Sequence, residues 1–192
     1  MLRPYLVIIT EWILFAVSWL LAARWSSAIE KQLGMRKEIG YRMLMVAGGV
    51  LEAVPAHGYY GPLRLWLVSG PEAWACILII AGGFGFAWWA RLHLGELWSA
   101  HITAKENHRI VDSGPYAIVR HPIYTGILAA VVATTAAKGT VMALAGMFLI
   151  VLGVWIKARI EERWLSSQLE ADAYQQYRRK VPMLMPFGRT AG

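Results

Sequence analysis

The sequence predicts an all-α, polytopic integral membrane protein of about five transmembrane helices. Three observations carry that expectation. Hydrophobic residues make up 57% of the 192 positions and charged residues 16%, whereas soluble domains run near ~45–50% and ~25%. The apolar residues gather in runs long enough to cross a ~30 Å hydrocarbon core. Strand signals are nearly absent, and lipid leaves an open strand edge without partners. The same composition excludes a soluble domain, a disordered chain, a collagen-like repeat and a disulfide scaffold, since Cys76 is the single cysteine. Trp74, Ala75, Ile77 and Leu78 around it offer no base or positive charge, so Cys76 is expected to be buried and inert.

Taken in order, the first run covers 5–23. Arg3 and Ala22-Ala23 give it the outline of a signal peptide, but it is long for one and contains Glu11, so it is assigned as a membrane helix. The second run, 39–54, is broken by Pro55 and Gly58. An aromatic, amphiphilic stretch over 59–68 leads to the Gly70-Pro71 turn and a third helix over 72–92. The fourth and fifth helices, 123–137 and 140–169, are separated only by Lys138-Gly139, which implies a tight hairpin. The last part of the fifth leaves the membrane. Gly48-Gly49 and Gly82-Gly83-x-Gly85 read as close helix contacts. Trp88-Trp89 and Trp98 read as interfacial anchors. Glu11 and Glu52 lie in predicted spans, where they either meet a polar head group or, for Glu52, reach interfacial water at a helix end.

Net charge is +7, and the basic residues sort by side. Of the 19, only Arg3, Arg64 and Lys138 fall away from the face that carries Arg24 to Arg42, Arg91 to Arg120 and the basic tail from Lys157 onward. The positive-inside rule then puts the N-terminus outside and the C-terminus in the cytoplasm. The host bilayer would be an inner or cytoplasmic membrane, or the endoplasmic reticulum of a eukaryote. Basic residues that flank spans rather than lining one helix face argue against a nucleic-acid partner.

The chemistry concentrates on that side. Gly114-Pro115 makes a turn, and Arg120, His121 and Tyr124 bunch at the entrance of the fourth helix, with Pro122 suited to its first turn. A guanidinium fork beside an imidazole suits an anionic or zwitterionic small molecule. The alternative is a helix cap with a snorkelling Arg and an interfacial Tyr. A second group, Lys157, Arg159, Glu161, Glu162 and Arg163, lies at the end of the fifth helix. Helical spacing puts Lys157 with Glu161, and Arg159 with Glu162 and Arg163, on neighbouring faces. It is either a set of exposed ion pairs or a carboxylate site for a cationic or hydroxyl-bearing ligand. Residues 174–187 read as a helix followed by an extended strap, as a lid or surface anchor. His93, His101, His108 and His121 have spacings that match no compact ligand motif, so no metal is expected.

Leu94-Gly95, Trp98-Ser99, His108-Arg-Ile-Val111, Gly114-Pro-Tyr116, Arg120-His121-Pro122-Ile-Tyr124, Glu161-Glu162, Tyr174-Gln-Gln-Tyr177 and Pro186-Phe187 together resemble the signature of the isoprenylcysteine carboxyl methyltransferases. The resemblance covers about half of the chain and extends to phospholipid N-methyltransferases and small-thiol methyltransferases. It implies S-adenosylmethionine as cofactor, held between the Arg-His-Pro loop, the helix hairpin and the C-terminal segment, with S-adenosylhomocysteine as product. By the same resemblance His108, Tyr116, His121, Pro122, Tyr124, Glu161 and Glu162 bind the cofactor. Arg120 and Glu162 carry the catalytic assignment, Glu162 favoured over Glu161. Ala171 replaces a family glycine ahead of the Tyr-x-x-Tyr pattern. Residues 1–92 would then form a substrate-side unit of three helices, and 93–192 the methyltransferase core. The expected acceptor is lipidic or prenylated, reached through the bilayer. A membrane transporter or sensor module is the competing non-enzymatic class, but it needs a polar path that the spans hardly supply.

Overall fold

The computed structural model describes residues 4–25, 31–32, 35–54, 63–95, 98, 103–104, 110–168 and 171–188. Among the described residues six α-helices make up the fold: α1 (Pro4–Ala22), α2 (Met35–Ala53), α3 (Gly70–Leu94), α4 (Pro122–Lys138), α5 (Val141–Gln168) and α6 (Ala171–Lys180). Among the described residues the only strand pairing is a two-residue antiparallel ladder, Lys31–Gln32 against Thr103–Ala104. The chain is therefore the all-helical, polytopic membrane protein that its composition predicts.

Three helices are by themselves long and apolar enough to span a bilayer: α1, α3 and α5 over Val141–Ser167. Of the remaining three, α6 is polar and short, and α2 and α4 fall short for physical reasons. α4 has 17 residues. α2 starts at Met35, ahead of the apolar run, and so takes Arg36, Lys37, Glu38 and Arg42 into its first turns. Basic positions expected in a loop are thus helical. Glu38 is buried and accepts from Arg42 at 2.5 Å, one turn on.

α2 packs along α5 and α3 along α4, while the α4–α5 hairpin joins the two pairs and α1 lies against α3. Glycines set the approach. A Cβ on Gly83 would stand 2.5 Å from the Gly126 carbonyl oxygen, and one on Gly48 would stand 2.6 Å from that of Gly146. Backbones this close need glycine on both sides. Gly49, Gly82 and Gly85 face open space, so only one residue of each predicted group makes the contact. Against α3, Phe15 stacks on Phe84 at 4.2 Å and Trp12 meets the same ring edge-on. Cys76 lies half-buried against this core.

The hairpin turns on Gly139, whose left-handed backbone (φ 60°) sends its N–H to Thr135. Extended residues 64–69 cross this turn: the Leu65 N–H and the Trp66 indole donate to the Gly139 and Ala136 carbonyls, each at 2.8 Å. Beneath the turn, the Thr135 hydroxyl donates to Glu52, and Lys138 donates to the backbone carbonyls of Glu52 and Val54. Glu52 is therefore a buried tie between α2 and α4 rather than an acid in interfacial water. Trp98 also departs from expectation. It is buried, with the Arg91 guanidinium 3.4 Å above its ring, and Arg91 also donates to the Ala22 carbonyl. The cation needs that partner because it too is buried. Trp89 stays 48% exposed, as an anchor should.

Candidate functional site

At the end of α4 away from the hairpin turn, four pieces of chain meet: the corner 114–121, the α5 end, α6 and the strap 181–188. The corner begins with a single 3₁₀ turn, Gly114–Ala117, entered by Gly114 at φ 57° over the His93 ring. His93 bonds the Ser113 hydroxyl at 2.9 Å. The chain then enters α4 through His121, with Pro122 in the first turn. That start leaves N–H groups without helical partners, and the strap fills the gap. The Arg120 and His121 N–H groups donate to the Pro182 and Met183 carbonyls at 2.8 and 3.1 Å, and the Thr125 hydroxyl donates to the Leu184 carbonyl at 2.6 Å. The extended strap expected from the two prolines is thus laced to the Arg-His-Pro corner.

Arg120 is buried and works within the protein. Its Nε donates to Glu162 at 2.6 Å, and its Nη1 donates to the Arg178 carbonyl at 3.0 Å and to the Val181 carbonyl. One fork therefore ties α4, α5 and the end of α6 together. Glu162, 4% exposed, lies with Oε1 3.5 Å from His121 Nε2 and Oε2 3.6 Å from Arg178 Nε. His121 stacks on Tyr124 with centroids 5.2 Å apart. The Tyr124 hydroxyl donates to Glu161 at 2.7 Å, and the Glu161 side chain remains 26% exposed. Among the described residues, His121 Nε2 and Arg178 Nε are buried and make no polar contact closer than these approaches to Glu162.

Aromatic rings wall the site. Tyr116 and Tyr174 are buried, and the Tyr177 hydroxyl donates to the Tyr116 carbonyl at 2.7 Å. Burial, reinforced by the Glu161 charge, pushes the Tyr116 phenol above its ordinary range. Burial does the same to Tyr174 and Tyr177. All three therefore remain neutral at any physiological pH.

The structure brings together Tyr116, Arg120, His121, Pro122, Tyr124, Glu161 and Glu162; His108 lies outside the described residues. Arg159, Glu162 and Arg163 line one cleft, as their spacing predicts, but the side-chain partners of Glu162 come from other elements. Arg159 lies on the exposed side of α5, over Trp155 at 5.5 Å, and Arg163 bonds its own helix at the Arg159 carbonyl. Glu162 is buried towards Arg120 and Arg178, and it borders the same cleft between α5 and α6 as Arg159 and Arg163. Lys157 shares a helix side with Glu161, but its ammonium rests 5.1 Å over the Tyr124 ring and 6.0 Å over Tyr41 of α2. Sequence reasoning missed Tyr41 as a neighbour of the site; the Glu38–Arg42 spacing at the start of a helix was the available signal. Among the described residues no three His, Cys, Asp or Glu side chains gather as a metal site.

Residues 75–167 match the sequence model of the isoprenylcysteine carboxyl methyltransferase family. A protein-S-isoprenylcysteine O-methyltransferase from Schizosaccharomyces pombe is 36% identical over 101 residues, 50% of this chain and 42% of the relative. The cobalt-zinc-cadmium resistance protein CzcN from Cupriavidus metallidurans is 32% identical over 97 residues, 48% of this chain and 43% of the relative. The chain spans less than half the length of the curated relatives it matches.

Proposed function

We propose that this chain, whose residues 75–167 match the isoprenylcysteine carboxyl methyltransferase family model, transfers a methyl group from S-adenosylmethionine to a lipidic or prenylated acceptor at the membrane boundary. The observation that carries this reading is the convergence of the Arg-His-Pro corner, the paired acids of α5 and the Tyr-x-x-Tyr helix on one side of the bundle.

The residues fit such a cofactor. An amino-acid sulfonium bearing an adenosine needs an acceptor for its ammonium and hydroxyls, donors for its carboxylate and a ring to lie against. Glu161 keeps lone pairs free on a partly exposed carboxylate, His121 Nε2 is buried without a hydrogen bond, and the buried Tyr116 borders the corner. When bound, the cofactor supplies an electrophilic methyl group. The protein's part is to orient and to exclude water. Tyr124 holds Glu161 in place through its hydroxyl. Arg120, whose Nε and Nη1 are taken by protein groups, positions Glu162 and fastens the strap over the corner. A carboxylate acceptor needs no general base.

Two measurements test the reading. S-adenosylhomocysteine should bind the purified protein in calorimetry, and a radiolabelled methyl donor should label a prenylcysteine in preference to phosphatidylethanolamine or a small thiol. No binding of S-adenosylhomocysteine would overturn the cofactor assignment. Labelling of an amine or thiol instead would keep the cofactor and change the acceptor.

A further inference from the structure

We infer that an anionic phospholipid lies along α5 with its phosphate in the cleft between α5 and α6. This proposal does not rest on the methyltransferase reading. An open-sided cleft of about 440 Å³ lies outside the corner, walled by Trp155, Arg159 and Arg163 of α5 and by Gln175 and Arg178 of α6. Its charge is unbalanced. Three guanidinium groups line it with one carboxylate, Glu162, whose Oε1 is held by Arg120 and whose Oε2 lies 3.6 Å from Arg178 Nε, so the excess charge is that of Arg159 and Arg163. Arg178 Nε is thus turned to Glu162, whereas Arg159 and Arg163 are exposed and the hydrogen bond of the Arg163 side chain goes to the Arg159 carbonyl. Planar forks with spare donors match a phosphate, to which they bond in pairs.

The occupant follows from what continues the cleft. Leu144, Phe148, Val151 and Trp155 are exposed along one side of α5, and Arg159 and Arg163 extend the same side. From Leu144 to Trp155 the helix rises about 16 Å, one leaflet of a ~30 Å hydrocarbon core. An acyl chain lying on that stripe delivers its head group to the level of Trp155, the depth at which such rings sit, and directly into the arginines. Charge selects the lipid: a basic pocket at this level prefers a net-negative head group to a zwitterionic one.

The test uses the full chain purified in neutral detergent. Phosphatidylglycerol should raise the melting temperature in a saturable way, as a ligand of the folded state does. Phosphatidylcholine and inorganic phosphate at the same concentration should raise it less. In the Arg159→Gln, Arg163→Gln double variant the apparent affinity for phosphatidylglycerol should fall roughly tenfold. An equal shift with phosphatidylcholine would reduce the stripe to ordinary solvation by lipid, and an equal shift with phosphate alone would make the cleft a free-anion site; either overturns the proposal, as does unchanged affinity in the variant. Should the double variant not fold, tail-brominated phosphatidylglycerol serves instead. It should quench a larger share of emission in the unmodified chain than in Trp155→Phe, and equal quenching overturns the proposal.

Discussion

Two adjacent glutamates at the end of α5 differ in almost everything but name. A helix turns them about 100° apart, and the structure spends that angle by burying Glu162 between Arg120 and Arg178 while Glu161 stays partly exposed beside Tyr124. Glu162→Gln leaves guanidinium groups buried without a counter-charge, a loss of about 3 kcal/mol. Thermal melts of the variant should show it, with methyl transfer largely abolished. Glu161→Gln should leave the melting temperature nearly unchanged, because a partly exposed acid contributes about 0–1 kcal/mol. Its effect belongs in cofactor affinity, read by calorimetry. His121→Ala and Tyr124→Ala should each weaken S-adenosylhomocysteine binding by about 1–3 kcal/mol if their polar atoms face the ligand, and unchanged affinity in both would remove the corner from the site. Order and spacing along the chain made Arg120, His121, Tyr124 and the two acids legible. The partner of Arg120 was not, because nothing local says that a fork will be taken by a glutamate on another helix. Tyr41 was hidden for the same reason: its helix carries no motif.

At the level of helices, α3 offers an internal control. Gly83 and Gly82 are neighbours, yet a Cβ at Gly83 meets the Gly126 carbonyl at 2.5 Å and one at Gly82 meets nothing. Gly83→Ala should destabilise by about 1–3 kcal/mol through overpacking against backbone. Gly82→Ala should be neutral or slightly stabilising, since alanine is the better helix former. Melting of the two variants in detergent gives the comparison, and equal melting temperatures would refute the α3–α4 contact. The sequence could group these glycines but could not choose among them. Lipid-facing positions on a membrane helix are as apolar as buried ones, so the usual stripe that marks the inner face is missing. Helix starts suffered in a similar way. Hydropathy places the start of α2 at the first apolar residue, whereas the backbone begins helical bonding at Met35, through a buried Glu38 paired one turn on.

Across the whole molecule, the asymmetry of basic residues predicts that α6 and the strap lie in the cytoplasm. Reporter fusions after residue 188 should be active only with cytoplasmic enzymes; an external reporter signal would invert the assignment and move the site to the other face. The bilayer character was legible from composition alone, but the pairing of helices was not, because every long run has similar apolarity. That pairing is nested: α3 with its successor α4 on the inside, α2 with α5 on the outside. Read as a schedule, nesting has a cost during synthesis. The last residue of α2 leaves the ribosome about 90 residues before α5 begins, an interval of ~5–20 s at common translation rates. Throughout it, the charged first turns of α2 and the bare groove at Gly48 have no helix to meet. A nascent chain halted at the hairpin turn should therefore be bound by insertase or chaperone and degraded quickly, whereas one carried through α5 should escape both, so that arrival of the fifth helix acts as the release signal for the second.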